Sequence, residues 1–93
     1  MNIEFVENDV VIDKSQFNVR PWFVYELQRI YKINQKERGV IATVIEIKVN
    51  AHFPGRNVRL MTANGLITVD YDYMLQDVRY GLLSVFRNGQ LIS

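Results

Sequence analysis

The residues best equipped for recognition fall in the stretch His52-Phe53-Pro54-Gly55-Arg56, which puts an imidazole, an aromatic ring, a sharp turn and a guanidinium within five positions. A loop tip of this kind can stack on a base and reach a phosphate, or anchor into a protein partner. Phe53 can equally fold back over the core. His52 is the one histidine, and neither a nucleophile nor an orienting partner stands near it in the sequence, so it does not read as catalytic. A second cluster is Lys32, Lys36 and Arg38, with Tyr31 beside it and Glu37 inside it. These cations would contact phosphate or line a solvated turn. A third group is Asp70 and Asp72. On a strand they point to one face about 7 Å apart. That spacing suits a hard cation or an acid–base pair, or a wet sheet face on which Asp70 pairs with Arg59.

Much chemistry is excluded by residue type. The chain has no cysteine, hence no disulfide, thiolate nucleophile or zinc–thiolate site. No phosphate-cradling or dinucleotide glycine motif, nucleophile elbow or zinc spacing occurs. A non-catalytic protein without cofactor or metal is expected. Its 93 residues suffice for one domain with one modest core, and 48% hydrophobic content argues against disorder. The net charge of +1 neither demands nor forbids a polyanionic partner. The apolar run Val40–Val49 is broken by Thr43, Glu46 and Lys48, and the N-terminus carries Glu4, Glu7 and Asp9 in place of a basic leader. A cytoplasmic chain without membrane contact is expected.

These groups must be positioned by strands. Asn64-Gly65 stands between two alternating runs, a strong hairpin signal. A loop of those two residues would set Leu60 opposite Val69, Arg59 opposite Asp70 and Val58 opposite Tyr71. Opposed residues share a face, so Val58, Leu60, Thr62, Ile67, Val69, Tyr71 and Tyr73 form the core side. Arg59, Met61, Ala63, Leu66, Thr68, Asp70 and Asp72 form the wet side. Gly39–Asn50 is a long strand with Ile41, Thr43, Ile45, Ile47 and Val49 on one side, and Val40, Ala42 and Val44 on the other. Ile3–Val6 and Val10–Ile12 flank Glu7-Asn8-Asp9 as an N-terminal hairpin. Tyr80–Phe86 is apolar, and Asn88-Gly89 offers a second tight turn into Leu91-Ile92. Met74–Arg79 is a connector with room for a helical turn. Trp22–Ile33 supports two readings: its aromatic and β-branched content favours a strand, whereas Phe23, Leu27, Ile30 and Tyr31 make a helical stripe after Pro21.

Residues 39–86 resemble the middle of an SH3-like barrel, the fold of SH3, Tudor and KOW-type modules. The resemblance lies in the long strand Gly39-Val40-Ile41-Ala42-Thr43-Val44-Ile45-Glu46-Ile47 and the hairpin from Val58 to Val69. It continues in a short turn at Tyr73-Met74-Leu75 and a closing strand Tyr80–Phe86. It implies a small antiparallel barrel with Trp22–Ile33 as its first strand and the N-terminal hairpin as an addition. Asp70-Tyr71-Asp72-Tyr73 only imitates the acidic aromatic motif of signalling SH3 domains, and Trp22 is a lone tryptophan, so proline-peptide binding is not implied.

The expected architecture is therefore mostly β: a hairpin over 1–12, a barrel over 22–86, and a C-terminal turn and short strand over 87–93. The alternative is α+β, with one helix at 21–33 packed on an antiparallel sheet. Of the aromatics, Trp22, Tyr25, Tyr31, Phe53, Tyr71, Tyr73 and Tyr80 are recognition candidates, though a domain this small needs most of them inside. Trp22, Met61 and Leu66 fall on outward faces. They would form an exposed apolar patch, the mark of an interface, or lie under the N-terminal hairpin. The expected function is a protein-binding or self-associating module using Trp22, Met61 and Leu66 with the His52, Phe53 and Arg56 tip. The alternative is a nucleic-acid accessory module in which Arg56, Lys32, Lys36 and Arg38 contact phosphate.

Overall fold

The computed structural model describes residues 3–16, 18–49 and 55–93. The chain runs β1 (Val10–Asp13), α1 (Trp22–Tyr31), β2 (Ile41–Val49), β3 (Arg56–Thr62), β4 (Gly65–Asp70), α2 (Tyr71–Arg79), β5 (Leu83–Arg87) and β6 (Gln90–Leu91). All pairings are antiparallel, and the six strands form one sheet in the order β4-β3-β2-β1-β5-β6. The expected barrel is not formed: the sheet is open, with β4 and β6 as its edges. Both helices cover the same face. Phe23, Val24 and Leu27 of α1 and Tyr71 and Met74 of α2 join Val11, Ala42, Val44, Val58, Leu60, Ile67, Val69, Leu83 and Val85 in one core.

Burial explains α1. Its β-favouring side chains lose little by becoming helical, whereas a helix places Phe23 and Leu27 together on the sheet. Each is fully buried, a gain of about 2 kcal/mol per side chain. Pro21 starts the helix and Lys32 ends it in the left-handed region at φ 57°. Residues 22–31 are therefore not a barrel strand. The segment after β4 is likewise helical and not a strand end. Asp70 caps α2 by accepting the Tyr73 N–H at 3.0 Å, and the 71, 74, 78 spacing turns Tyr71, Met74 and Val78 inward. Tyr73 is thereby moved out of the expected core face.

The N-terminal hairpin is not formed either. β1 lies between β2 and β5, so both of its edges are taken. Residues 3–6 instead fold back over the helical side, where the Phe5 N–H donates to the Tyr71 hydroxyl at 2.9 Å. Asp9 ties this segment down by pairing with Arg87 at 2.8 Å and accepting the Val6 N–H at 2.9 Å.

The two Asn-Gly turns behave differently. Asn88 and Gly89 both take positive φ, 53° and 78°, as a two-residue hairpin loop requires. In the first hairpin Thr62 pairs with Gly65, so the loop is Ala63-Asn64. Thr62 Oγ1 accepts the Asn64 and Gly65 N–H groups at 3.1 and 3.2 Å, which fixes that turn. The observed register sets Leu60 against Ile67, Arg59 against Thr68 and Asn57 against Asp70. It differs from the expected register by two residues, so the faces are kept but the Arg59–Asp70 pairing is lost. Gly65 has φ 140°, and a Cβ there would run into the Tyr31 hydroxyl. That hydroxyl donates to the Leu66 carbonyl at 2.9 Å and blunts the β4 edge.

Candidate functional site

Two surfaces gather exposed apolar groups, and they lie on opposite sides of the molecule. The first is the uncovered face of the sheet. Successive strand pairings place Leu66, Met61, Thr43, Val10, Phe86 and Leu91 side by side, in one row that crosses all six strands. Beside it runs a shorter row of Ile41, Ile12 and Ser84. Met61 is 44% and Leu66 40% exposed, and Ile41 and Leu91 are more open still. Sheet alternation builds this face from the neighbours of core residues: Val11 and Leu60 are fully buried, while Val10 and Met61 point the other way.

The polar end of that face carries Glu46, Arg59 and Thr68 in one row and Lys48, Asn57 and Asp70 in the next. A bulge between Val44 and Glu46 produces this change of character. It drops Ile45 from the pairing, returns Ile47 to the covered side opposite Val58, and brings Glu46 out. Glu46 lies 3.3 Å from Lys48 Nζ, yet its buried Oε1 accepts no hydrogen bond.

The second surface is aromatic and belongs to the helices. Trp22, the first residue of α1, stacks on Tyr73 of α2 with centroids 4.7 Å apart and planes at 19°. Tyr25 meets the indole edge-to-face at 6.2 Å. All three rings stay accessible, Trp22 at 43% and Tyr73 at 49%. Pro21 offers α1 no side-chain cap. The cap comes instead from α2, where Asp77 accepts the Trp22 N–H at 2.7 Å. Asp77 is 3% exposed, and among the described residues no cation pairs with it. Burial pushes its carboxyl up to about 6, against the opposing effect of the Trp22 hydrogen bond. Beside Tyr25 opens a cleft of about 250 Å³ lined by Asn18, Arg20, Tyr25, Gln28 and Gln35.

The expected site residues are therefore dispersed. Met61 and Leu66 come together as direct cross-strand partners, but Trp22 is on the helical layer. The expected single patch is two patches. Nor does the N-terminal segment cover Met61 and Leu66, because it lies over the helical side. His52 and Phe53 lie outside the described residues. Arg56 begins β3, and its guanidinium sits 3.8 Å over the Tyr71 ring. Lys32 caps α1, and Lys36 and Arg38 follow in the exposed connection to β2. Arg20 is buried and donates to the Glu37 and Gln35 carbonyls at 2.7 and 2.6 Å beside Asp13. Asp70 and Asp72 sit at the start of α2, not on one strand face. Among the described residues no cluster of three or more metal-ligating side chains occurs, and no helix is long and apolar enough to cross a membrane.

No family model, curated protein or solved structure matches the chain. Its geometry alone carries the functional reading.

Proposed function

We propose that this chain is a non-catalytic interaction module that pairs with a second copy of itself through the bare face of its sheet. The observation that supports this reading is the unbroken row from Leu66 to Leu91. Five of its six side chains are apolar, and the chain's own helices lie on the other side. An apolar sheet face of this kind packs well on another sheet at a separation of about 10 Å.

Charge and size favour a second copy over an unlike partner. The polar end holds two cations, Lys48 and Arg59, and two anions, Glu46 and Asp70, within two adjacent rows. Such a border is self-complementary under a two-fold axis, which brings one surface against itself. The molecule's longer dimensions are 34 and 29 Å. A face of that breadth has room for the roughly 800 Å² per partner of a standard interface.

Sedimentation equilibrium from micromolar to millimolar concentration tests the proposal. A monomer–dimer equilibrium is expected in the parent chain and a monomer in Met61→Glu, because a carboxylate within the row would be buried unpaired. Trp22→Ala, on the far side, should leave the equilibrium unchanged. A parent chain that stays monomeric throughout, or a Met61→Glu chain that associates as the parent does, overturns it.

A further inference from the structure

We infer that the strip formed by Tyr73, Trp22 and Tyr25 is a docking site for an arginine side chain presented by a partner polypeptide. Three observations carry this. The rings are exposed and contiguous, with centroids 4.7 and 6.2 Å from one to the next. A guanidinium is flat and weakly hydrated, and stacks on such rings better than an ammonium does. The surroundings are also acidic. Asp72 is exposed in the first turn of α2 and Asp77 is buried further along it, against Arg79 in its last turn, while Arg20, which lines the cleft beside Tyr25, is paired with Asp13. On α1, Glu26 and Arg29 neutralise each other at 2.7 Å. Finally, the same chemistry already operates inside the molecule, where the Arg56 guanidinium lies 3.8 Å over the Tyr71 ring.

The charges decide the sign of the occupant. A stacked aromatic pair alone would accept a nucleobase as readily, but a nucleic acid brings phosphates into a field set by the Asp72 and Asp77 carboxylates. Asp77 matters most, because no cation among the described residues pairs with it. It accepts the backbone N–H of Trp22 and so is held at the start of α1, beside the strip. Burial raises its carboxyl to about 6, which lies below neutral pH. An arginine over the rings gains from this charge without touching it. The buried oxygens need not be reached, and the Trp22–Asp77 bond need not break.

Trp22 is the single tryptophan, so its fluorescence reports on the site. The full chain is titrated at low salt with a glycine–serine octapeptide carrying one central arginine. The comparison peptides carry citrulline, which is neutral but nearly isosteric, or lysine. A saturable change with the arginine peptide is expected, at least tenfold weaker with citrulline and intermediate with lysine. Asp77→Asn keeps an oxygen to accept the Trp22 N–H, and should weaken arginine binding several-fold while helix content is retained. Asp72→Asn should weaken it less. Equal responses to arginine and citrulline, or no saturable response to either, overturn the proposal. If Asp77→Asn does not fold, the citrulline comparison on the unaltered chain still decides. The strip lies across the molecule from the sheet face, so failure here leaves the pairing proposal standing, and the reverse also holds.

Discussion

The two faces of this sheet are made from the same strands, often from consecutive residues, yet they have met different fates. On one side Val11, Val44, Leu60 and Val85 lie under two helices with no exposure. On the other Val10, Thr43, Met61 and Phe86 stand in the open row. An ordinary half-buried antiparallel sheet would be polar on its second side. This one is charged only past the bulge at Ile45, where Glu46, Lys48 and Arg59 take over. The bare face is thus apolar where β1 crosses it and charged at one end. On the proposed pairing, the charged end would form the rim of the interface.

The largest expected effect is on the covered face. Leu60→Ala removes a fully buried side chain between β2 and β4, and should cost about 3 kcal/mol. Denaturant titration by far-UV circular dichroism measures this loss. A domain of this size has a total stability of only about 5–10 kcal/mol, so the variant should be visibly less cooperative or partly unfolded at 37 °C. A loss below about 1 kcal/mol would mean that the helical layer does not hold this face closed.

The next effect concerns what holds that layer together. Asp77 ties α2 to the start of α1, but burial raises its carboxyl from 3.8 to about 6. The folded chain therefore binds the proton more tightly than the unfolded chain. This group's contribution to stability is full below about pH 4 and is lost as pH rises through about 6. The full shift corresponds to at most about 3 kcal/mol. Asp77 lies near the surface of a small protein, so water screens that figure to about 1 kcal/mol. Asp77→Asn should raise stability by about that amount at pH 7.5 and leave it unchanged near pH 4. Thermal melts of both chains at the two pH values check it. A variant less stable at pH 7.5 would show that the carboxylate charge supports the α1 terminus more than burial penalises it.

Much of the covered face was legible in the sequence. Val58, Leu60, Thr62, Ile67 and Val69 alternate as expected and are all buried, and a two-residue register error does not change which side they take. Asn88-Gly89 was legible because both positions suit positive φ. The helices were harder. In Asp70-Tyr71-Asp72-Tyr73 the strand period continues for four residues past the strand, and only the spacing of Tyr71, Met74 and Val78, after a capping Asp70, signals a helix. α1 hid behind β-favouring side chains whose preference is weaker than the burial a helix allows. The bare-face row was not legible at all. It is assembled from five pairings, of which only β3–β4 and β5–β6 join neighbours through a tight turn. The placement of β1 in the middle of the sheet follows from no local pattern. Asp77 was missed for the same reason, since its partner is 55 positions away.

A smaller effect is expected at Arg56. Arg56→Ala removes the guanidinium from Tyr71 and should cost about 0.5 to 1 kcal/mol in denaturant. An unchanged midpoint would mean that this stacking contributes nothing, and would weaken the internal precedent for an arginine site on the aromatic strip.

The smallest effect discriminates most between the faces. Met61 follows Leu60 in β3 but points the opposite way and is 44% exposed. At concentrations too low for association, Met61→Ala should change stability by less than about 0.5 kcal/mol. Folding linked to association makes the midpoint depend on concentration. If the bare face is buried between two copies, the penalty for Met61→Ala should grow as the protein is concentrated, while that for Leu60→Ala stays constant. Melting curves of both variants at two concentrations, tenfold or more apart, supply the test. A Met61→Ala penalty that is small and the same at both would leave the row without a partner in solution, and the contrast between the faces would then lie in side-chain type alone.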